Sequence, residues 1–260
     1  MIVVIPEGSK TDKFAAIFRY LKVNIQEANL IFDEERLYMQ GMDSSQIGLF
    51  ELVLIKDWFE KYEVTEPVTL GINCEILYKM LNCLEKTQKI ILKFEALGDE
   101  LSISFISSEK GVVDKYFVLP LMDINTQLLG IPDVDYTADL QLKGPIFEKI
   151  IEQLSIFADT VKISCNDKQV SLKTTNESSI LLGQMEVNIN FDDMNEYLIE
   201  EEADISLSFS LKYLNWMVQF AHLSNDMNIH FMEDTPIKIK YDIENNSYIQ
   251  FFLAPQYDEF

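Results

Sequence analysis

The chain has 260 residues, 48% of them hydrophobic and 25% charged, which is typical of a folded protein and excludes a largely disordered one. No apolar run is long enough to span a membrane and the N-terminus does not resemble a signal peptide, so we expect an intracellular protein with reduced cysteines. The net charge of −22 would argue against binding to nucleic acid if it were spread evenly over the surface.

The first half of the chain predicts two helices and several strands. Residues Lys13–Lys22 carry apolar side chains from Phe14 to Leu21 at the i, i+3, i+4, i+7 spacing of an amphipathic helix. A second helix is indicated at Asn73–Leu84, where apolar residues again share one face. Alternating or continuous apolar runs predict strands at Asn29–Phe32, Leu37–Gln40, Ile47–Ile55, Lys89–Phe94, Glu100–Ile106 and Val112–Leu119.

The second half repeats this order of elements. A helix is predicted at Pro145–Phe157, where Pro145 suits the first helical turn, and another at Ser210–His222. Strands are predicted at Val161–Cys165, Val170–Thr174, Ser179–Val187, Ile205–Phe209, Met227–Phe231, Ile237–Asp242 and Tyr248–Leu253.

The two halves align with a nearly constant offset. Phe14 corresponds to Phe147 and Leu77 to Leu214, which are offsets of 133 and 137 residues. We therefore predict an α+β fold of two homologous domains, at residues 1–120 and 136–260, each with two helices on antiparallel sheets.

Residues 121–135, called the connector below, join the two predicted domains. The run from Leu128 to Pro132 is apolar, whereas an exposed linker is normally polar. The connector is therefore expected either to pack onto a domain or to help form a binding surface.

Charge is distributed unevenly between the predicted helices and the rest of the chain. The four helical segments together carry a net charge of +3, which leaves −25 on strands and loops. Acidic runs such as Asp192-Asp193 and Glu200–Asp204 lie outside the helices. Either charge simply fluctuates between segments, or the helices form one face turned toward an anion.

Four ordered motifs resemble a known family. Gln40–Ser45 (QGMDSS), Leu129–Pro132 (LGIP), Lys212–Asn215 (KYLN) and Phe252–Pro255 (FLAP) resemble, in order and spacing, proliferating cell nuclear antigen, the eukaryotic and archaeal sliding clamp. The resemblance covers nearly the whole chain. It implies a ring-forming DNA clamp fold, in which three two-domain subunits surround a channel lined by helices.

Ring closure in this family implies head-to-tail contacts between edge strands. The matching segments here are Gly111–Leu119 and Ser178–Val187. Two unpaired edges would promote aggregation unless they meet each other. The resemblance therefore implies a subunit interface that contains Val113, Phe117, Ile180 and Leu182.

The resemblance also implies residues that face DNA. Basic side chains stand at or near the matching helical positions at Lys13, Arg19, Lys22, Lys79, Lys149 and Lys212, and Lys10 adds a further cation to the first helix. Non-basic residues replace the usual Lys or Arg at Ala15, Ala16, Asn82, Glu152 and Gln219. The predicted partner is double-stranded DNA, contacted weakly.

A groove for partner peptides is the third implied site. Its residues come from the first half, the connector, the second half and the tail. They are Met42, Gln46, Ile47, Leu49, Leu129, Ile131, Pro132, Pro236, Phe252, Leu253, Ala254 and Pro255. Such an apolar site suits short peptide motifs of a DNA polymerase, a clamp loader, and nuclease and ligase-type clients.

An enzyme is the first alternative. The chain has no G-x-S-x-G, H-E-x-x-H, P-loop or dinucleotide-binding motif, and His222 and His230 are interpreted as structural. We therefore expect no catalytic residues, no metal and no cofactor.

The second alternative is a different assembly, either a clamp-like subunit of a heterotrimer or a monomeric viral processivity factor. The missing basic residues favour it, and the edge-strand pattern favours the homotrimer. The resemblance implies a nuclear location, or a cytoplasmic replication site if a virus encodes the chain.

Overall fold

The computed structural model of the protein describes residues 1–125, 127–175 and 183–256. The chain divides into two compact units. Unit 1 comprises Met1–Ser44, Glu51–Leu129 and Ile243–Ile249, and unit 2 comprises Ser45–Phe50, Gly130–Asp242 and Gln250–Phe260. The predicted α+β class is confirmed, with helices packed on mostly antiparallel strands.

Among the described residues, two helices and nine strands form the first half. The helices are α1 (Ser9–Leu21) and α2 (Cys74–Leu81). The strands are β1 (Ile2–Ile5), β2 (Glu27–Phe32), β3 (Arg36–Met42), β4 (Gly48–Ile55), β5 (Lys61–Glu63), β6 (Val68–Asn73), β7 (Lys89–Lys93), β8 (Glu100–Ile106) and β9 (Lys115–Pro120).

The second half contains the same elements in the same order. The helices are α3 (Gly144–Leu154) and α4 (Leu211–Val218), the latter continued by a 3-10 turn at Gln219–Leu223. The strands are β10 (Ala138–Lys143), β11 (Thr160–Asn166), β12 (Val170–Thr175), β13 (Glu186–Ile189), β14 (Met194–Ile199), β15 (Asp204–Ser210), β16 (Asp226–Phe231), β17 (Ile237–Glu244) and β18 (Ser247–Leu253).

Strand order repeats as well. In the first half the hydrogen-bonded orders are β5-β1-β7-β8-β9 and β4-β3-β2-β6. In the second half they are β14-β10-β16-β17-β18 and β13-β12-β11-β15, which is the same pattern with every strand number raised by nine. The internal repeat predicted from the helices therefore extends to the sheets.

All four predicted helices are present, but five strands were not predicted. These are β1, β5, β6, β10 and β14. β5 has only three residues and β1 only four, too few to display a period. β10 and β14 are held by neighbours on the sheet, with Leu140 opposite Tyr197 and Ile229. Pairing with β10 decides the conformation of β14, which has no clear alternation. In β10, Ala138, Leu140 and Leu142 do alternate with polar residues, and sequence reasoning missed that signal.

The two predicted edge strands differ from the observed ones. β9 begins at Lys115, not at Gly111, because Gly111 has a φ of 95° and the segment before Lys115 forms a turn. β13 begins at Glu186, so the prediction of a strand across residues 183–185 is wrong. Residues 178–182 of that prediction lie outside the described residues.

Helix α1 shows how the apolar stripe builds the core of unit 1. Phe14, Ile17, Phe18 and Leu21 are fully buried, as the spacing predicts. The rings of Phe14 and Phe18 meet edge to face with centroids 5.1 Å apart. Each such aromatic side chain stabilises the fold by about 1.5–3 kcal/mol when buried.

No described helix is long and apolar enough to cross a membrane.

The core of unit 2 is an aromatic cluster beneath α4. Phe251 lies 4.7 Å from Phe220 and 5.3 Å from Trp216 between ring centroids. The buried Tyr241 hydroxyl donates to the Met217 carbonyl oxygen over 3.1 Å. Because the faces of α1, α2, α3 and α4 that pack on the core are apolar, the basic residues of these helices lie on the opposite faces.

Candidate functional site

The basic residues predicted to face DNA lie on or beside the helices at differing exposure. Arg19, Lys79, Lys149 and Lys212 are exposed, and Lys22 is half-buried at the end of α1. Their exposure follows from the buried stripes, since the opposite face of each helix is committed to the core.

Two of these cations are paired with carboxylates. The Lys13 ammonium lies 2.6 Å from Glu244 Oε1, and the Lys79 ammonium lies 2.9 Å from Glu75 Oε1. The hydrogen bond from Lys79, aided by its charge, lowers the pKa of the Glu75 carboxyl. Neutralising partners reduce the positive potential that either lysine offers to a phosphate.

Aromatic and carbonyl groups hold three other lysines. Lys22 Nζ lies 4.9 Å from the centre of the Tyr78 ring, which orders the side chain and leaves its charge in place. Lys212 Nζ lies 5.5 Å from the Tyr213 ring. Lys10 also lies in α1 and donates to the Trp58 carbonyl oxygen over 2.6 Å, which orders the side chain and leaves its charge in place.

Several predicted groove residues of unit 2 are close in the fold. The Ala254 amide donates to the Ile47 carbonyl oxygen over 3.2 Å, which joins the tail to the segment before β4. Ile47 is 38% exposed, whereas Leu253 is fully buried. Leu253 therefore lies below the surface and supports its neighbours, while Ala254 and Pro255 are half-buried.

The remaining groove residues show partial exposure. Within unit 2, Leu49, Ile131 and Phe252 are half-buried, and Gln46, Pro132 and Pro236 are exposed. Gln46 has a φ of 58°, a left-handed conformation that few residues other than glycine adopt. Within unit 1, Met42 is 40% exposed and Leu129 is 47% exposed. Every predicted groove residue except Leu253 thus offers some surface.

The connector packs on unit 1, the first of the two alternatives raised by its composition. Its backbone is hydrogen-bonded to unit 1 at Met122, Ile124 and Leu129. Leu128 and Leu129 nevertheless each remain 47% exposed. A segment with a bonded backbone and outward apolar side chains can present those side chains to a ligand.

Strand β9 is the outer strand of its sheet, and its two faces differ. Tyr116 is 71% exposed and Val118 is 51% exposed. Phe117, predicted as an interface residue, points to the opposite face and packs on Phe105 with ring centroids 5.1 Å apart. Val113 precedes the strand and is 71% exposed. Tyr116 and Val118 were missed by sequence reasoning, because residues 116–119 are all apolar and the pattern does not indicate which of them face solvent.

The opposite predicted edge is described only in part. Ile180 and Leu182 lie outside the described residues. β13, which follows them, pairs with β12 in the antiparallel direction. Ile189 lies opposite Val170 at one end of the pairing, and Glu186 lies opposite Lys173 at the other. It is the outer strand in the order β13-β12-β11-β15.

Each of the two histidines lies beside a carboxylate. His230 Nδ1 is hydrogen-bonded to Asp139 Oδ1, and its ring packs beside Tyr136. Burial lowers the pKa of His230, and the hydrogen bond to Asp139 offsets that effect only in part. His222 lies 3.8 Å from Glu148 Oε1. Within the described ranges, no three His, Cys, Asp or Glu side chains are grouped so as to hold a metal ion.

Comparison with known proteins gives the same family for both halves. The model of the proliferating cell nuclear antigen N-terminal domain matches residues 10–128, and that of the C-terminal domain matches residues 130–256.

Curated relatives match over almost the full length. Proliferating cell nuclear antigen of the fungus Chaetomium thermophilum is 30% identical over 240 residues, covering 91% of each chain. DNA polymerase sliding clamp 1 of the archaeon Thermococcus kodakarensis is 29% identical over 258 residues, covering 98% of each. Proliferating cell nuclear antigen of Caenorhabditis elegans is 28% identical over 245 residues, covering 94% of this chain and 93% of the relative. With both domain models matched and the strand order duplicated, the chain belongs to the proliferating cell nuclear antigen family of sliding clamps.

Proposed function

We propose that the protein is a DNA polymerase processivity factor that closes into a homotrimeric ring around duplex DNA and docks partner proteins through an apolar groove. The observation that carries this proposal is the duplicated clamp fold, matched by both family domain models. A chain of this kind acts by topology and binding, and the proposal assigns it no catalytic step.

Ring closure is supported by the exposed outer strand β9. Its outer edge has no strand partner among the residues that the structure describes, and this edge together with the exposed side chains of Tyr116 and Val118 suits pairing with another strand. The proposed partner is the outer strand β13 of a neighbouring copy. The predicted interface residues Ile180 and Leu182, in the segment before β13, remain part of this proposal. Head-to-tail contacts of this type form a closed ring when the rotation between copies is one third of a turn.

Weak contact with DNA is supported by the balance of charge. The proposed DNA-facing residues are Lys13, Arg19, Lys22, Lys79, Lys149 and Lys212. With Lys13 and Lys79 paired to glutamates and a net charge of −22, the ring holds duplex DNA mainly by enclosing it. Contacts to phosphate remain sequence-independent and weaken as salt is added.

Peptide docking is supported by exposed apolar residues on the connector, the segment before β4 and the tail. Ile47 and Leu129 are 38% and 47% exposed, although both are aliphatic. A client segment of the form Gln-x-x-aliphatic-x-x-aromatic-aromatic would bury two or three anchors, each contributing about 1.5–3 kcal/mol. After the cost of ordering the peptide is subtracted, the remaining binding free energy corresponds to a Kd of about 1 μM. Polymerase, loader, nuclease and ligase-type clients would then exchange at the same site.

The deciding experiment loads the protein onto circular, primed DNA and then linearises the circle. We expect the protein to be retained on the closed circle, to support processive synthesis by a cognate polymerase, and to be lost from the DNA after cutting. Retention that is unchanged by linearisation would contradict enclosure. Light scattering on the same sample should give the mass of three chains, and a monomer at micromolar concentration would contradict the homotrimer.

A clamp subunit of a heterotrimer, or a monomeric viral processivity factor, is the second candidate. It is favoured by the residues Ala15, Ala16, Asn82, Glu152 and Gln219 where the family usually has Lys or Arg. The mass measurement separates the two candidates. A nuclear location, or a cytoplasmic replication site for a viral chain, follows from the proposed function.

A further inference from the structure

The connector is hydrogen-bonded to three strands of unit 1. The Met122 amide donates to the Gly71 carbonyl oxygen over 2.8 Å, on β6. Asn29 Nδ2, on β2, donates to the Ile124 carbonyl oxygen over 3.1 Å. Gln40 on β3 makes two bonds to Leu129, donating from Nε2 to its carbonyl oxygen over 2.9 Å and accepting from its amide over 2.7 Å. Gly71, Asn29 and Gln40 are called the anchor residues below.

The anchor residues lie in one row across the sheet. β6, β2 and β3 are consecutive neighbours, and Asn29 is directly opposite Gly71 in the register. On the other side of β2, Ile31 is paired with Tyr38 of β3. Ile31 is two residues from Asn29 and Tyr38 is two residues from Gln40, so the antiparallel register also places Asn29 opposite Gln40. Neighbouring strands are about 4.8 Å apart. The connector is therefore hydrogen-bonded to each strand in turn as it crosses β6, β2 and β3.

Gly71 permits the closest of these contacts. A Cβ atom at position 71 would lie 2.1 Å from the Met122 carbonyl oxygen and 3.0 Å from the Ile124 side chain. Any larger residue would therefore push the connector away from β6. Glycine is therefore required at position 71 if the connector is to lie this close to β6.

Gln40 is itself held in place from behind. Its Nε2 also donates to the Tyr38 hydroxyl over 3.1 Å, and that hydroxyl donates to Glu51 Oε1 over 2.9 Å. The Tyr248 hydroxyl donates to Glu51 Oε2 over 3.2 Å. Glu51 is only 9% exposed. The chain of bonds from Tyr248 to Gln40 fixes the amide in the orientation that Leu129 requires.

We propose that the anchor residues are positioning residues, which order the connector before a client arrives so that Leu128 and Leu129 stand as a preformed wall of the groove. This inference rests on the proposed peptide-docking function. Ordering backbone on binding costs about 1–2 kcal/mol per residue, and a wall ordered in advance avoids that cost. The hydrogen bonds from the anchors go to the connector backbone and leave the side chains of Leu128 and Leu129 exposed, as a preformed wall requires.

The test compares the full-length variant Gln40→Met with the wild type and with Gln26→Met. Methionine keeps the length of the side chain and removes both bonds to Leu129, while Gln26 is an exposed glutamine just before β2. We expect hydrogen exchange at the Leu129 amide to be slow in the wild type and in Gln26→Met, and at least about tenfold faster in Gln40→Met. Calorimetry with the client peptide should show affinity weakened about tenfold in Gln40→Met alone.

Gly71→Ala supplies an independent arm. This substitution should accelerate hydrogen exchange at the Met122 amide. It should also weaken the affinity for the client peptide, as Gln40→Met does, although position 71 contacts neither Gln40 nor Leu129. If Gln40→Met did not fold, Tyr38→Phe, which removes the hydroxyl that supports Gln40, would replace it.

The outcomes separate the two levels of the proposal. A Leu129 amide that exchanges rapidly in the wild type, or faster exchange in Gln40→Met with unchanged peptide affinity, would overturn the positioning role while leaving the groove intact. A wild-type protein with a slowly exchanging Leu129 amide but no peptide binding would refute the groove, and this role with it.

Discussion

The outward face of β9 offers the sharpest test of ring assembly. Tyr116 and Val118 are 71% and 51% exposed, whereas Leu119 on the other face is fully buried. Replacing Tyr116 and Val118 with glutamate should therefore leave the sheet of unit 1 intact and act on the contact between copies.

The expected size of the effect follows from exposed area. An aromatic side chain can bury about 200 Å² in all, so the exposed part of Tyr116 amounts to about 140 Å², worth about 3.5 kcal/mol at ~25 cal/mol per Å². The exposed half of Val118 adds about 1 kcal/mol. Loss of roughly 4 kcal/mol at each interface weakens association about a thousandfold, before the cost of burying two carboxylates.

Sedimentation at micromolar concentration measures the consequence. We expect the double variant to sediment as a monomer with a far-ultraviolet spectrum like that of the wild type. Val23→Glu is the matched control, because Val23 is 66% exposed in the turn after α1 and lies off the sheet edge, and it should remain a trimer. A double variant that retains the wild-type mass would refute the assignment of β9 to the interface.

Three further predictions concern DNA, clients and pH. Changing Lys22 and Lys79 to glutamate should reduce polymerase processivity at unchanged mass; equal processivity would contradict their role in the channel. Leu49→Ala or Ile131→Ala should weaken the client peptide by about 1–3 kcal/mol in calorimetry, and unchanged binding heat would exclude that residue from the groove. Because burial lowers the pKa of His230 below 6.5, the unfolded state takes up the proton first, and the free energy of unfolding should fall as pH drops through about 6.5. In urea unfolding at pH 7.5 and 5.5, His230→Gln should lose less stability than the wild type, and an equal loss would contradict this reasoning.

The sequence predicted those features that depend on near neighbours along the chain. Helix α1 buries Phe14, Phe18 and Leu21 because their spacing places them on one face, whatever they pack against. The duplication was visible for the same reason, since equivalent helices carry equivalent stripes. The site residues came instead from the resemblance of short motifs, because an exposed Ile47 or Pro236 has no periodicity that distinguishes it from core.

Contacts between distant residues were decided only by the tertiary structure. Charge counting treated Lys13 as an available cation, yet its partner Glu244 is 231 positions away in the chain. Gln40 lies within a recognised motif, but its two bonds to Leu129 span 89 positions. β9 shows the same limit, since an apolar run announces a strand but does not say that Phe117 turns inward while Tyr116 and Val118 face solvent. Strand register and sheet order bring such residues together, and both are set by pairing across the whole fold, where a shift of one residue reverses the face of every side chain.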